Sequence, residues 1–182
     1  MIIALTGTPG TGKTSVSKVL EETYFVIDLN KLATDKCFII GVDDDRNSKI
    51  VDTDRLDDYL NKSISKKDIV FVEGHLSHLL KSVDKVIILR CNPDELRKRL
   101  SCKGWNKDKI KENLEAEILD VILCETVDIH SDKNIFEIDT TKKSVIDVAF
   151  LIEGIIKSGF RNVKSYNIGN IDWSEEILKR FK

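Results

Sequence analysis

The sequence predicts an α/β fold, with a five-stranded, mostly parallel sheet covered by helices on both faces. Three observations lead there. Five short runs rich in β-branched or aromatic residues and nearly free of charge alternate with segments of helical period. A glycine-rich loop joins the first run to the first helical segment. The chain has 182 residues, 41% of them hydrophobic, which is one-domain size with enough apolar side chains for a core.

In order, strands are expected at residues 2–5, 25–27, 69–72, 86–89 and 135–138. Each is too short and too β-branched to be a buried helix. Helices are expected at about 13–22, 53–63, 93–101, 107–129 and 144–158. The third begins with Asn92, a good N-cap, then Pro93, whose fixed φ suits a first turn. Asp94 and Glu95 follow at its positive end. In the fourth, Ile110, Leu114, Ile118, Val121 and Ile122 form one apolar stripe.

Two polar stretches fit neither strand nor core helix. They are residues 36–49, containing Asp43, Asp44, Asp45 and Arg46, and residues 101–109, containing Lys103, Gly104 and Trp105. Such excursions are either mobile covers over a site or ordinary surface loops. The C-terminal extension, about 160–182, lacks a strand signal but ends in a capped short helix near Asp172 to Glu176.

With 29 basic and 31 acidic side chains the net charge is -2, so no global field marks a nucleic-acid partner. Cys37, Cys91, Cys102 and Cys124 stand far apart, without C-x-x-C spacing, and are read as reduced thiols. The first apolar run is too short for a signal peptide, and no run is long enough to span a membrane. A soluble, cytoplasmic protein is expected.

The strongest motif is Gly7-Thr8-Pro9-Gly10-Thr11-Gly12-Lys13-Thr14, a full G-x-x-x-x-G-K-S/T match between an expected strand and an expected helix. Its glycines let backbone N–H groups turn toward phosphate oxygens, and the helix start adds partial positive charge. Gly10, Thr11, Gly12, Lys13, Thr14 and Ser15 are therefore the candidate nucleotide-binding residues. Lys13 reaches the β and γ phosphates, the Thr14 hydroxyl holds Mg²⁺, and Ser15 reaches the α phosphate. The motif makes the domain a P-loop NTPase that uses Mg²⁺ with ATP.

Residues 69–72 lead into Glu73, where a carboxylate at a strand's end either supports Mg²⁺ or positions a water; alternatively it is a solvating end charge. His75 lies two residues on, at the crevice where ligands gather in such sheets, or else simply starts a helix. His78 and His130 are read as ordinary. Arg90, Arg97, Arg99 and Lys103 form a cationic series that either closes on a transferred phosphate or makes solvated helical pairs.

A composite run accompanies these motifs: Arg99-Leu100-Ser101-Cys102-Lys103-Gly104-Trp105-Asn106, then Lys109-Ile110-Lys111-Glu112-Asn113 and Ala116-Glu117-Ile118. With it, residues 2 to about 158 resemble the archaeal and eukaryotic adenylate kinases of the isoenzyme 6 type, which double as small-subunit ribosome assembly ATPases. The resemblance implies a nucleoside-monophosphate (NMP) segment at about 28–50, a lid at about 102–112, and an adenine-contacting loop at Thr140, Thr141 and Lys142. It implies that Glu73 and His75 match an acid-x-histidine motif tied to hydrolysis. It also implies a transient complex with a ribosomal protein of the small-subunit platform and with the immature small subunit. The chain departs from the family pattern at Glu73, often Asp, at Lys103, in place of a lid arginine, and at Thr34, where an arginine often stands. Lys31, Arg46 and Arg55 are the candidate replacements for that arginine.

The expected function is therefore a broad-specificity nucleoside monophosphate kinase that also hydrolyses ATP, with Lys13, Glu73, His75, Arg99 and Lys103 catalytic and Thr14 and Glu73 at the metal. An assembly ATPase with incidental kinase activity is the second reading. A kinase of another small metabolite, such as shikimate or gluconate, is the third.

Overall fold

The computed structural model describes residues 1–43, 48–64 and 68–180. In chain order the elements are β1 (Ile2–Thr6), α1 (Lys13–Leu20), β2 (Phe25–Asp28), α2 (Leu29–Asp35), β3 (Ile39–Asp43), β4 (Ser48–Val51), α3 (Thr53–Ser63) and β5 (Val70–Glu73). There follow β6 (Lys85–Arg90), α4 (Pro93–Cys102), α5 (Lys107–Ile118), α6 (Val121–Ile129), β7 (Ile135–Asp139), α7 (Val145–Lys157) and α8 (Ser174–Arg180).

The main sheet has the order β2-β5-β1-β6-β7, and all of its pairings are parallel. Because successive side chains point to opposite faces, β1 sends Ile3 and Leu5 to one layer and Ile2 and Ala4 to the other. Ile3, Leu5, Phe71, Ile87 and Leu89 pack against Val16 and Leu20 of α1 and Val148, Ala149, Ile152 and Ile155 of α7. On the opposite face Ala4, Val72, Val86 and Ile88 meet Leu29, Leu56 and Leu60 from α2 and α3. Each such Leu or Ile contributes about 1.5–3 kcal/mol by leaving water. A third, smaller cluster joins Cys91, Leu96, Leu100, Ile110 and Leu114, so α4 and α5 form a helical hairpin with its own core.

All five expected strands form, but β2 is an edge strand whose Phe25 is 66% exposed, not a strand covered on both faces. Residues 36–49 were expected as irregular loop. The structure instead places α2 before them, started by Asp28, whose carboxylate accepts from Lys31 N, and then the antiparallel β3–β4 pair. These elements are short and half-exposed, so their sequence carries little periodicity. Asp44, Asp45 and Arg46 lie outside the described residues. The stretch 101–109 is a loop only at residues 103–106: α4 runs to Cys102, Gly104 turns at φ 72°, and the Asn106 side chain caps α5 by accepting from Lys109 N.

The single helix expected at 107–129 is two, broken at Asp120, which has φ 54°. The cause is Arg90, the buried last residue of β6. Its guanidinium donates to the Glu117 side chain (2.9 Å), to the Glu117 carbonyl oxygen (3.2 Å), and to the Asp120 and Glu137 carboxylates. It thus satisfies a helix-end carbonyl and draws Asp120 out of line, and Asp tolerates the left-handed region better than most residues. Arg90 is therefore a structural cation, and its expected place among cations closing on phosphate is corrected. Burial works against its charge, but Glu117 and its companion carboxylates outweigh that and raise its pKa. The same cluster fixes the C-terminal segment: Gly169 N donates to Glu137, Trp173 Nε1 donates to Glu117 at 3.2 Å, and Phe136 bridges to Asn167.

Replacing Arg90 by Met leaves Glu117 and Glu137 buried without their cation. A loss of about 3–5 kcal/mol is expected, read as a lower urea midpoint at unchanged slope. A loss under about 1 kcal/mol would show that the cluster does not hold these elements together.

Candidate active site

The loop between β1 and α1 begins where β1 leaves the sheet, beside the C-terminal ends of β5 and β6. Gly7, Gly10 and Gly12 all have positive φ. At Gly7 a Cβ would stand 2.3 Å from the Leu89 carbonyl oxygen, and at Gly10 it would strike Leu96 and Leu100 of α4 at 2.8 Å. The loop is thus seated on β6 and on the lid helix, a close approach that only glycine permits. Thr11 is buried beneath the loop, its hydroxyl donating to Thr8 O, and its own carbonyl accepts from the Thr140 hydroxyl.

Lys13, the first residue of α1, turns its ammonium back under the loop to donate to Gly7 O (2.6 Å) and Thr8 O (3.1 Å). Burial lowers its pKa to about 8, against the favourable charges of Glu73 and Glu117. Thr14 donates to Glu73 Oε1 at 3.2 Å, bringing a hydroxyl and a carboxylate from two elements together. Burial raises the pKa of Glu73, and Lys13 opposes the rise. His75 is exposed to the cavity, yet surrounding protein desolvates its ring, and with Lys13's charge this keeps the imidazole below its ordinary range.

These groups line a cavity of about 620 Å³. Gly10, Gly12, Lys13, Thr14 and Ser15 form its floor, and Glu73 and His75 one side. Lys103, Trp105 and Lys109 bound it on the lid side, with Lys109 held over the Trp105 ring at 4.8 Å. Asn30 of α2 and Lys49 of β4 also line it. An ammonium at a glycine-rich loop that leads into a helix start suits a polyphosphate, and the Thr14 and Glu73 oxygens suit a hard cation such as Mg²⁺.

Most of the sequence-derived site residues are thus brought together, but Thr11, which is fully buried, Arg99 and Lys142 do not line the cavity. Arg99 does not line the cavity; its guanidinium donates to Glu95, to the Thr140 hydroxyl and to the Thr140 and Thr141 carbonyls, clasping the loop after β7. Lys142 is exposed on that same loop. Arg97 is exposed on α4. Among the candidates for the acceptor cation, Lys31 lines a separate groove with Phe25 and Asp35, and Arg55 sits over the Phe38 ring at 5.5 Å. Arg46 lies outside the described residues. His78 and His130 are structural: His78 is buried between the Thr6 hydroxyl and Glu125, and His130 Nε2 lies 2.8 Å from the His78 carbonyl oxygen. The four cysteines are free, and burial pushes the Cys91 thiol up to about 11.

Sequence reasoning gave no separate role to Glu117. It accepts from the Thr8 hydroxyl (2.5 Å), Arg90, Cys91 N (3.0 Å) and Trp173, so one buried carboxylate ties the phosphate loop to the helix behind the lid. Its signal was in the sequence as the acid of Ala116-Glu117-Ile118, one turn after Asn113.

The strand order, the glycine loop and the α4–α5 helix pair define a P-loop kinase fold. Two solved shikimate kinases share it: that from Bacteroides thetaiotaomicron (TM-score 0.57, 15% identity, 86% of this chain and 98% of that one), and that from Acinetobacter baumannii, in complex with shikimate (TM-score 0.60, 17% identity, 88% and 95%). At such identity the likeness concerns the fold alone. Residues 3–120 match the family model described as "AAA domain". Over nearly its whole length the chain is similar to archaeal proteins described as "Putative adenylate kinase". It is 44% identical to that of Archaeoglobus fulgidus (100% of this chain, 97% of the relative), 41% to that of Methanosarcina barkeri (97% and 100%) and 38% to that of Methanocaldococcus jannaschii (98% and 96%). The chain belongs to the AAA-domain family and, within it, to the group formed by these archaeal relatives. Among the described residues, no helix is long and apolar enough to cross a membrane.

Lys13 makes ligand affinity dependent on pH in a stated direction. Phosphate oxygens favour the charged amine, so its pKa in an ATP complex exceeds the value of about 8 in the free protein. Binding then takes up a proton above pH 8, and ATP affinity is expected to fall by up to about tenfold per pH unit as pH rises from 8 to 10. Calorimetry between pH 7 and 10 reads this; a flat profile would contradict the placement of Lys13 on the phosphates.

Proposed function

We propose that this protein is a nucleoside monophosphate kinase that transfers the terminal phosphoryl group of Mg-ATP to AMP or a related monophosphate, giving two diphosphates. The observation that carries the reading is one cavity lined together by a phosphate loop, a hydroxyl-carboxylate pair, the cations Lys103 and Lys109, and residues of α2 and β4 that offer a place for an acceptor. The archaeal relatives described as "Putative adenylate kinase" support it. They also favour it over the shikimate or gluconate alternative, since the shikimate kinases share only the fold.

Catalysis here is positioning and charge neutralisation. Lys13 exchanges its loop carbonyls for phosphate oxygens. Thr14 and Glu73 would hold Mg²⁺, which supplies charge neutralisation between the phosphates when bound. Lys103 reaches the transferred group as the α4–α5 corner closes. As a single ammonium it gives a point charge instead of a planar two-bond contact. Arg99 acts at one remove, holding the Thr140–Thr141 loop where an adenine ring would rest, with Lys142 beside it.

A second activity, ATP hydrolysis, is favoured by Glu73 and His75 lining the same wall. A His75 imidazole neutral at pH 7 is able to accept a water proton. A role in late small-subunit maturation, through a ribosomal platform protein in the cytoplasm, rests on the sequence resemblance alone.

The wild-type chain is expected to form ADP from ATP plus AMP in a coupled assay, and Lys13→Ala to lose at least about 100-fold in kcat/KM. ATP binding without ADP formation from any of a panel of monophosphates would sink the kinase reading. His75→Ala is expected to reduce acceptor-free hydrolysis more than AMP phosphorylation; equal loss of both would remove the case for a separate ATPase role.

A further inference from the structure

A smaller annex of about 190 Å³ opens off the main cavity at its α2 and β4 residues. Ala33, Ile39 and Val51 give it apolar sides, and Asn30, Thr34 and Lys49 its polar atoms. Asn30, Lys49 and His75 line both annex and cavity, so they stand where the two meet. A molecule with a flat apolar body in the annex and an anionic end toward Lys13 places that end beside these three groups.

We propose that Lys49 binds the acceptor's phosphate and makes this site select nucleoside monophosphates over uncharged nucleosides. The proposal rests on the kinase reading above and names the residue that reads its second substrate. Three observations carry it. Among the described residues, Lys49 is the only cation that lines both spaces. Among the described residues its ammonium is held only by a long 3.5 Å contact to the Thr34 hydroxyl, whereas Lys13 is engaged by two loop carbonyls. Of the other cations considered for this role, the two that are described are directed elsewhere, Lys31 to the outer groove and Arg55 to Phe38. In register, Lys49 pairs with Val42 on β3, and it stands two residues before Val51 on the same face of β4, with Ile50 on the opposite face. The Lys49 charge and the Val51 wall therefore face the annex together, one for a phosphate and the other for a base.

The test compares full-length wild type with Lys49→Ala and Lys49→Arg by calorimetry with AMP, adenosine and ATP separately. Loss of one charge-assisted contact is expected to weaken AMP about 10- to 100-fold in Lys49→Ala while leaving adenosine and ATP unchanged, with Lys49→Arg restoring most of the AMP affinity. The proposal is overturned if Lys49→Ala weakens AMP and adenosine alike, if it changes neither, or if the wild type binds AMP no more tightly than adenosine. In the same preparations, Lys49-dependent AMP binding without any ADP formation would leave the assignment standing and defeat only the kinase reading. An unchanged KM for AMP in a catalytically active Lys49→Ala variant would do the reverse.

Discussion

The architecture around the site depends on one buried carboxylate. Glu117, 2% exposed, has its oxygens engaged by Thr8, Arg90, Cys91 N and Trp173. A charge out of water is tolerable only when paired and hydrogen-bonded, so these partners have little freedom to part without exposing an uncompensated ion. They come from the phosphate loop, the end of β6 and the C-terminal segment, while Glu117 itself belongs to the helix behind the lid. The extension after α7 is therefore part of the scaffold, joined also through Gly169 to Glu137.

A second constraint is steric. The loop is pressed between the Leu89 carbonyl and the Leu96–Leu100 face of α4, and this closeness gives its glycines their meaning. Because α4 and α5 share a small core, the corner at residues 103–106 is packed together with the helix that the loop touches. Electrostatics then work in the space these contacts leave. Lys13 is desolvated but beside Glu73, and Glu73 is buried but beside Lys13 and Thr14. Each group is poised so that an anionic ligand and a divalent cation improve its surroundings, which is preorganisation for phosphate chemistry.

Much of this was legible residue by residue. The five strands announced themselves because strands in a parallel sheet are apolar on both faces, and β2 misled only because an edge strand keeps similar composition with fewer neighbours. Lys13, Thr14, Ser15, Glu73, His75 and Lys103, each singled out from the sequence, line one cavity. Arg90 and Arg99 were legible as cations but not in their roles, since an arginine's charge does not say whether carboxylates or carbonyls wait for it across the fold. Lys49 gave no signal at all: it stands in a polar stretch without period, and only pairing with β3 turns it toward the site.

The sequence by itself determined the α/β class, the phosphate-binding loop and the positions of the five strands along the chain, because these follow from local periodicity, glycine's backbone freedom and a fixed motif spacing. Tertiary structure alone decided that Arg90 braces the core, that Asp120 breaks a helix in two, that the C-terminal segment reaches Glu117, and that Lys49 meets the cavity. Each of these depends on a charge finding a partner 15 to 56 residues away, as between Lys49 and Thr34 or Glu117 and Trp173, and such pairings leave no periodic trace along the chain.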